Sequence, residues 1–181
     1  IAESGYISDP ILSTHNAQVA AESKGSQFKF NTEVVEIIKR DGRAAGVTLK
    51  DGSRIEAPVV INVAGPHSFI INRMAGVEEG MNIKTRALRQ EVAHVPAPDG
   101  IDYEKVGMLV SDGDIGCYSR PEVGNHVLIG SEDPDCDILE WIDDPDHFNP
   151  NFTGQWHTQV MREAQRIIDL PIPNEKQGIV D

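Results

Sequence analysis

The stretch VVINVAGPHS, Val59 to Ser68, joins an apolar run rich in β-branched residues to an abrupt stop at Ala-Gly-Pro. A run of this kind, preceded by Pro58 and ended by Gly65, predicts a buried strand of a parallel sheet. The small residues after it let the backbone approach another group closely. The sequence therefore predicts either a core strand with a tight exit turn or a backbone-lined ligand site beyond its carboxyl end.

The segments on either side of this run complete one structural unit. A helix of about three to four turns is predicted near the N-terminus and ends at Gly25. Three β-prone segments follow, separated by Asp-Gly pairs at 41–42 and 51–52, which are strong hairpin signals. They predict an antiparallel meander. After the apolar run, helical spacing closed by Gly76 predicts a second helix.

The pattern changes at about residue 84, where short strands begin to alternate with Gly, Asn and Asp turns. This alternation predicts an antiparallel sheet in a second region. An acidic, Pro-containing stretch spans residues 133–150, and an amphipathic helix is predicted from residue 154. The final residues, KQGIVD, are typical of a chain entering a strand. The predicted fold class is α+β, and we expect the sequence to be an internal piece of a longer protein.

The composition excludes several classes of function. The chain has 29 acidic and 16 basic residues and a net charge of -13, which argues against binding to nucleic acid or anionic membranes. It has no signal-peptide pattern and no apolar stretch of about 20 residues, so we expect a cytoplasmic protein without a membrane partner. Cys117 and Cys136 are too few for a disulfide framework and predict reduced thiols.

The common catalytic and metal-binding motifs are missing from the sequence. It has no G-x-G-x-x-G and no G-x-x-x-x-G-K-[ST] phosphate loop, and its six histidines show no H-x-x-x-H or H-E-x-x-H spacing. The segment DPDCDILE places aspartates at alternate positions but lacks the glycine and glutamate of a calcium loop. No serine lies in a nucleophile elbow. We therefore predict no metal site and assign no catalytic residue.

Two longer segments carry a resemblance to a known family. Residues 5–68 resemble the middle of an FAD-dependent oxidoreductase of the D-amino-acid oxidase family, whose pattern runs G-x-[VI]-x-P-x-x-L, a helix, [NT]-x-V, a G-x-x-x-G-V hairpin, D-G and V-V-N-A-A-G-x-W-[SA]. The segment CYSRPEVGNHVLIGSEDPD, residues 117–135, is similar to the Y-x-R-P-E-x-G-x-x-L-x-G segment of the sarcosine oxidase beta-subunit and dimethylglycine dehydrogenase branch. The match covers most of residues 4–132 in order.

The resemblance implies a division into flavin and substrate domains. Residues 1–85 would form part of an FAD-binding domain with the three-stranded meander, and residues 86–170 an antiparallel-sheet substrate domain. Residues 171–181 would return toward the FAD domain. The family's N-terminal dinucleotide fingerprint is missing from this sequence. FAD would therefore be bound by the parent protein and not retained by this piece.

The resemblance also implies positions for site residues. The backbone at Val34 would lie beside the adenine of FAD, and Ala64, Gly65 and Pro66 would approach the cofactor. The residues that would face the substrate are Tyr118 and Arg120 in the Y-x-R-P motif, with Ser131 and Glu132 after L-x-G. Arg120 would clamp a substrate carboxylate through two parallel hydrogen bonds. The chain departs from the family pattern at His67, where relatives usually have tryptophan, and at Glu91, where a more apolar residue is common.

The implied activity is oxidation of the C–N bond of a small amino acid or N-methylated amine, such as sarcosine, dimethylglycine or glycine. The substrate would lose a hydride to the flavin and give an imine that water hydrolyses. Other subunits of an oxidase complex are further expected partners. Two alternatives stay open: a non-catalytic α+β module without cofactor, and a flavoenzyme on the same scaffold that acts on a hydroxy acid.

Overall fold

The computed structural model describes residues 9–181, which fall into two compact units. The first unit ends at Ile61, and the second runs from Asn62 to Asp181. The domain boundaries at residues 85 and 170 stay predictions. No helix among the described residues has both the length and the apolar composition needed to cross a membrane.

The first unit opens with the predicted helix, α1, which spans Pro10–Glu22. The Asp9 carboxylate accepts hydrogen bonds from the backbone N–H groups of Ile11 at 2.9 Å and Leu12 at 3.1 Å. Pro10 stands at the first helical position, where its missing N–H costs nothing. The prediction of this helix is confirmed.

The predicted meander follows as three antiparallel strands in the order β1-β2-β3. They span Val34–Arg40, Arg43–Leu49 and Arg54–Glu56. Asp41 and Gly42 have φ angles of 52° and 75°, as a two-residue type I′ turn requires. The hairpin signal at 41–42 therefore identified the β1–β2 turn correctly.

The prediction of a buried parallel strand at residues 59–64 is wrong for the described chain. The segment forms no strand, and the side chains of Val59, Ile61 and Val63 are 68%, 78% and 86% exposed. A parallel strand exists only beside hydrogen-bonding neighbours, and none of the ten strands in residues 9–181 pairs with this run. The β-branched composition is typical of a strand but does not supply a partner.

The second unit begins with short helical elements. A 3-10 turn at Gly65–His67 leads into helix α2, Ser68–Ala75, which ends at Gly76 as predicted, and a second 3-10 turn spans Glu78–Gly80. A one-turn helix, α3, spans Tyr103–Val106.

Two antiparallel sheets form the rest of this unit and confirm the predicted antiparallel region. The smaller sheet pairs β4, Ala87–Arg89, with β9, Glu140–Ile142. The larger sheet has the order β10-β5-β8-β7-β6. Its strands are β5 (Glu91–Pro96), β6 (Val110–Asp112), β7 (Cys117–Glu122), β8 (His126–Ser131) and β10 (Gly178–Val180).

Helix α4, Gly154–Glu163, covers one face of the five-stranded sheet. Their contact buries the core of the unit, whose members are Ala93, Val95, Ala97, Cys117, Val127, Ile129, Trp156, Val160 and Leu170. The predicted amphipathic helix is confirmed over these ten residues. Strand β10 lies at the sheet edge against β5, as the final residues predicted. The role of residues 171–181 as a return segment stays a prediction.

Candidate functional site

The five-stranded sheet has a second face, opposite α4, and β7 shows which residues lie on it. Cys117 and Ser119 are fully buried, and both side chains donate hydrogen bonds to Glu163 of α4, at 3.3 and 2.8 Å. Because side chains alternate along a strand, Tyr118 and Arg120 point to the opposite face. We call this surface the Tyr118 face.

Tyr118 lies across Gly130, its partner in the β7–β8 register. A Cβ atom built on Gly130 would be 2.3 Å from both Cζ and Oη of the tyrosine, so only glycine leaves room for the ring. Burial raises the pKa of Tyr118, an effect that Arg120 opposes and the Glu132 and Asp133 carboxylates strengthen. The phenol therefore stays protonated at neutral pH.

Arg120 follows on the same face and is held by a neighbouring carboxylate. Its Nη1 lies 2.9 Å from Glu122 Oε2 and donates to the carbonyl oxygen of Pro121 at 3.0 Å. A hydrogen bond from the Val123 N–H lowers the pKa of Glu122, burial opposes this, and Arg120 lowers the pKa further. Glu122 is therefore ionised at neutral pH, and it partly neutralises the guanidinium.

The two other predicted substrate residues lie on different sides of the sheet. Glu132 Oε1 accepts a hydrogen bond from the Ser111 hydroxyl at 2.6 Å, and Ser111 pairs with Tyr118 in the β6–β7 register. Glu132 is therefore near the Tyr118 face. The Ser131 hydroxyl instead donates to Asp137 Oδ2 at 2.9 Å, and Asp137 is ion-paired with Arg162 of α4. The structure brings Tyr118, Arg120 and Glu132 together, without Ser131.

His94 lies on the Tyr118 face and was not among the predicted site residues. It pairs with Leu128, which pairs in turn with Arg120, so the three residues form one row across β5, β8 and β7. Nε2 of His94 is buried and has no hydrogen-bond partner among the described residues. The sequence carries no local signal for the register that places His94 in the same row as Arg120.

Among the predicted cofactor residues, those of the turn at residues 64–66 lie in the second unit. The Asn62 amide group fixes it, donating to Ser68 O and Asn72 Oδ1 at 2.9 Å and accepting from the Ala64 N–H at 3.2 Å. Gly65 has a φ of 55°, and a Cβ added to it would meet no atom within 4 Å. This open backbone fits the close approach of a cofactor.

Two further positions from the sequence analysis are His67, a departure from the family pattern, and Val34, the remaining predicted cofactor residue. His67 Nε2 lies 3.1 Å from Asp146 Oδ1, so the position usually held by tryptophan contacts the acidic stretch. Val34 belongs to the first unit, where it begins β1 and pairs with Leu49. Its assignment to the adenine of FAD stays a prediction.

Glu91, the other departure from the family pattern, has a structural role. It is fully buried, and its two oxygens accept hydrogen bonds from the backbone N–H groups of Thr153 at 2.7 Å and Trp156 at 2.9 Å, at the start of α4. Buried Arg89 donates to it at 3.0 Å. Burial alone would raise the pKa of Glu91, but these hydrogen bonds outweigh it and lower the pKa.

A cleft of about 880 Å³ lies away from the Tyr118 face. Its lining includes Trp141, Gln155 and Arg162, and it contains none of the predicted site residues. The cleft therefore brings no further side chain to the predicted site residues on the Tyr118 face.

Solved structures share this fold at low sequence identity. L-proline dehydrogenase from P. horikoshii aligns with a TM-score of 0.68 and 18% identity over 88% of this chain and 39% of that one. Glycine oxidase from Bacillus cereus ATCC 14579 aligns with a TM-score of 0.60 and 16% identity over 93% of this chain and 40% of that one. This chain therefore spans well under half the length of either structure.

Sequence comparison identifies the family. No curated protein matches the chain significantly. The sequence model of the DAO family, described as FAD dependent oxidoreductase, matches residues 1–179. Because this match covers nearly the whole chain, the chain belongs to the DAO family of FAD-dependent oxidoreductases.

Proposed function

We propose that the whole protein uses FAD to oxidise the C–N bond of a small amino acid or N-methylated amine, such as sarcosine, dimethylglycine or glycine. The observation that carries this proposal is the charge pattern of the Tyr118 face. There, Arg120 is paired with the Glu122 carboxylate, and both Arg120 and the Glu132 carboxylate are near the ring of Tyr118. A zwitterion needs such a pattern, a cation for its carboxylate and anions for its ammonium group.

The names of the matched structures agree with this substrate class. One is an L-proline dehydrogenase and the other a glycine oxidase, so both names refer to amino acids. The sarcosine oxidase and dimethylglycine dehydrogenase branch is our narrower assignment, and it rests on the Y-x-R-P-E segment at Tyr118. Participation of other subunits belongs to the same proposal.

Different residues of this chain would contact the cofactor and the substrate. FAD, when bound, supplies the hydride acceptor. The backbone of residues 64–66 offers open space for the cofactor's approach. Arg120 would hold the substrate carboxylate with the guanidinium nitrogens that Glu122 leaves free, and Tyr118 and Gly130 would form the floor under the reacting carbon. Holding the substrate in one orientation is the protein's main contribution to the rate.

The two alternatives make different demands on the same face. A hydroxy acid has a carboxylate but no ammonium group. The carboxylates of Glu122 and Glu132 would therefore have no positive charge on the substrate to bind. A non-catalytic module would need no cofactor. We favour amine oxidation because the paired charges on the Tyr118 face fit a zwitterion better than an anion.

The test is the absorption spectrum of the full-length protein with FAD, followed by anaerobic addition of sarcosine, glycine, proline or glycolate. We expect bound flavin that the amines bleach and glycolate does not. Arg120→Met should raise the KM for the amines by about 10- to 100-fold, because a charge-assisted hydrogen bond is lost. Arg54→Met, which changes an exposed strand arginine of the first unit, is the matched control.

Each alternative has its own outcome in this test. Bleaching by glycolate alone would identify a hydroxy-acid enzyme. A full-length protein that binds no flavin would support the non-catalytic module and overturn the proposal.

A further inference from the structure

The cleft beside α4 leaves large apolar side chains in contact with solvent. Its volume is about 880 Å³, and it is lined by residues 136–141 and by α4 with its N-cap residue. Ile138, Leu139 and Trp141 are 91%, 39% and 44% exposed, although side chains of these types are usually buried. The volume is typical of a binding site and has room for several side chains. Grouped apolar side chains in such a cleft are typical of an interaction site.

Trp141 is held in place before any partner binds. It pairs with Leu88 in the β4–β9 register, and the guanidinium carbon of Arg86 lies 4.4 Å from the centroid of its ring. A cation–π contact of this kind fixes the orientation of the ring. An ordered tryptophan loses little side-chain entropy on binding, and tryptophan is enriched among the residues that dominate interface affinity. Trp141 is therefore suited to anchor a partner.

The acidic stretch, residues 133–150, brings negative charge to the cleft and contains no lysine or arginine. Its carboxylates are those of Asp133, Asp135, Asp137, Glu140, Asp143, Asp144 and Asp146. Arginine or histidine side chains lie beside four of these. Asp135 and Asp143 have no ion-pair partner among the described residues. Uncompensated charge therefore flanks the apolar residues on both sides along the chain.

This charge decides between the possible occupants of the cleft. A small apolar ligand would leave the carboxylates of Asp135 and Asp143 without a counter-charge, and a nucleic acid or an anionic membrane would be repelled. A second copy of this chain would bring a net charge of -13 to an acidic surface. A polypeptide segment that carries both apolar and basic side chains matches the lining and the charge together.

We propose that the cleft binds a basic amphipathic segment of a partner protein, an inference that goes beyond amine oxidation and does not depend on it. Apolar side chains of the segment pack against Ile138, Leu139 and Trp141. Its lysine or arginine side chains pair with Asp135 and Asp143. Polar side chains of α4 line the same cleft and offer hydrogen bonds to the backbone of the segment.

The first test determines whether the cleft is open in the full-length protein. Cys136 lines the cleft and is exposed, so its thiol reports whether the cleft is occupied. Full-length protein is treated with N-ethylmaleimide, and mass spectrometry follows the peptide that contains Cys136. We expect labelling at nearly the rate measured after denaturation. Strong protection would mean that other residues of the parent protein fill the cleft, and it would overturn the proposal.

The second test measures binding of a short fluorescein-labelled peptide of lysine and leucine in amphipathic order. Fluorescence anisotropy gives its dissociation constant for the full-length protein at low salt. We expect saturable binding that also protects Cys136 from labelling. Trp141→Ala should weaken binding by about tenfold or more, the usual effect of removing an aromatic anchor. A peptide with glutamate in place of lysine should not bind.

Two matched pairs of variants separate the apolar from the charged contacts. Ile138→Ala should weaken binding of the lysine peptide by about fivefold, because less apolar surface is buried. Ile83→Ala changes an isoleucine that is 82% exposed outside the cleft and should have no effect. Asp143→Asn should weaken binding at low salt only, since salt screens exposed charges. Asp99→Asn, at an exposed position outside the cleft, is its control.

The outcomes separate this proposal from the proposed function. The labelling and binding measurements need no substrate and no turnover, so a protein that oxidises no amine can still confirm the docking site. The proposal fails if the wild type shows no saturable binding, or if the glutamate peptide binds as well as the lysine peptide. Equal effects of Ile138→Ala and Ile83→Ala would also overturn it.

Discussion

At the scale of single residues, burial gives the two cysteines opposite reactivity. Cys117 is fully buried, and burial together with the nearby Glu163 raises the pKa of its thiol to about 12, while Cys136 is exposed. Because the thiolate is the reactive form, we expect a maleimide to modify one thiol per native chain and two after denaturation. Cys136→Ser should abolish native labelling. Rapid native labelling of that variant would show that Cys117 is accessible.

The fit of Tyr118 against Gly130 makes a second prediction at this scale. Gly130→Ala would put a methyl group 2.3 Å from the ring carbon Cζ, so the ring must move. We expect a loss of about 1 to 3 kcal/mol in the free energy of unfolding, the usual cost of overpacking. Gly154→Ala is the control, because a Cβ there meets no atom within 4 Å. Denaturant unfolding of both variants measures the difference, and equal stabilities would contradict the packing of Tyr118.

At the scale of elements, the start of helix α4 is capped by the buried carboxylate of Glu91, which belongs to strand β5. Glu91→Gln would remove one acceptor oxygen at the helix start and leave Arg89 without its buried counter-charge. Breaking one partner of a buried pair costs about 3 to 5 kcal/mol, so we expect a loss of that size in the free energy of unfolding. Glu140→Gln, which contacts the same arginine from a half-exposed position, should cost less than about 1 kcal/mol. A small effect of Glu91→Gln would contradict the cap.

The same cap makes stability depend on pH. The folded state lowers the pKa of Glu91, so its contribution is complete above the usual glutamate pKa and is lost as pH falls through the folded value. We therefore expect the Tm of the wild type to drop more steeply below about pH 4.5 than that of Glu91→Gln. Thermal unfolding followed by circular dichroism between neutral and acidic pH measures both slopes, and parallel slopes would exclude a contribution from Glu91.

Local elements were predictable from the sequence, and cross-strand relations were not. Asp41-Gly42 and Gly76 act within a few residues of their own position, so their turn and helix end could be predicted. The row that joins His94 to Arg120 depends on pairing between β5, β8 and β7, which no local signal specifies. Glu91 departs from the family pattern, and its structural role could not be predicted because its contact with α4 spans more than sixty residues.

At the scale of the whole molecule, the order of the motifs predicted the family, although the periodicity of one apolar run predicted a strand that does not form. The order of the segments identified the family, which the match over residues 1–179 confirms. The apolar run at Val59 failed as a predicted strand, because strand formation depends on partners that the run itself does not contain. The substrate assignment rests on charges at Arg120, Glu122 and Glu132, which only the folded sheet brings together.

The two compact units should differ in their ability to fold alone. The core cluster of nine buried residues lies entirely within the second unit, between α4 and its sheet. In the described part of the first unit, Ile37 and Leu49 are the buried large apolar side chains. A chain folds alone only if it buries enough apolar surface to offset the loss of conformational entropy. We therefore expect residues 62–181 to unfold cooperatively on heating and residues 1–61 to show no transition.

Circular dichroism melting and a ¹⁵N–¹H NMR spectrum of each piece measure this difference, with the 181-residue chain as the reference. The spectrum of residues 62–181 should show well-dispersed amide peaks, because the core that orders these residues is complete within the piece. Poorly dispersed amide peaks for residues 62–181 would mean that this core is not sufficient to fold the second unit without residues 1–61. Cooperative melting of residues 1–61 would mean that the meander is stable with very few buried side chains, which the burial pattern argues against.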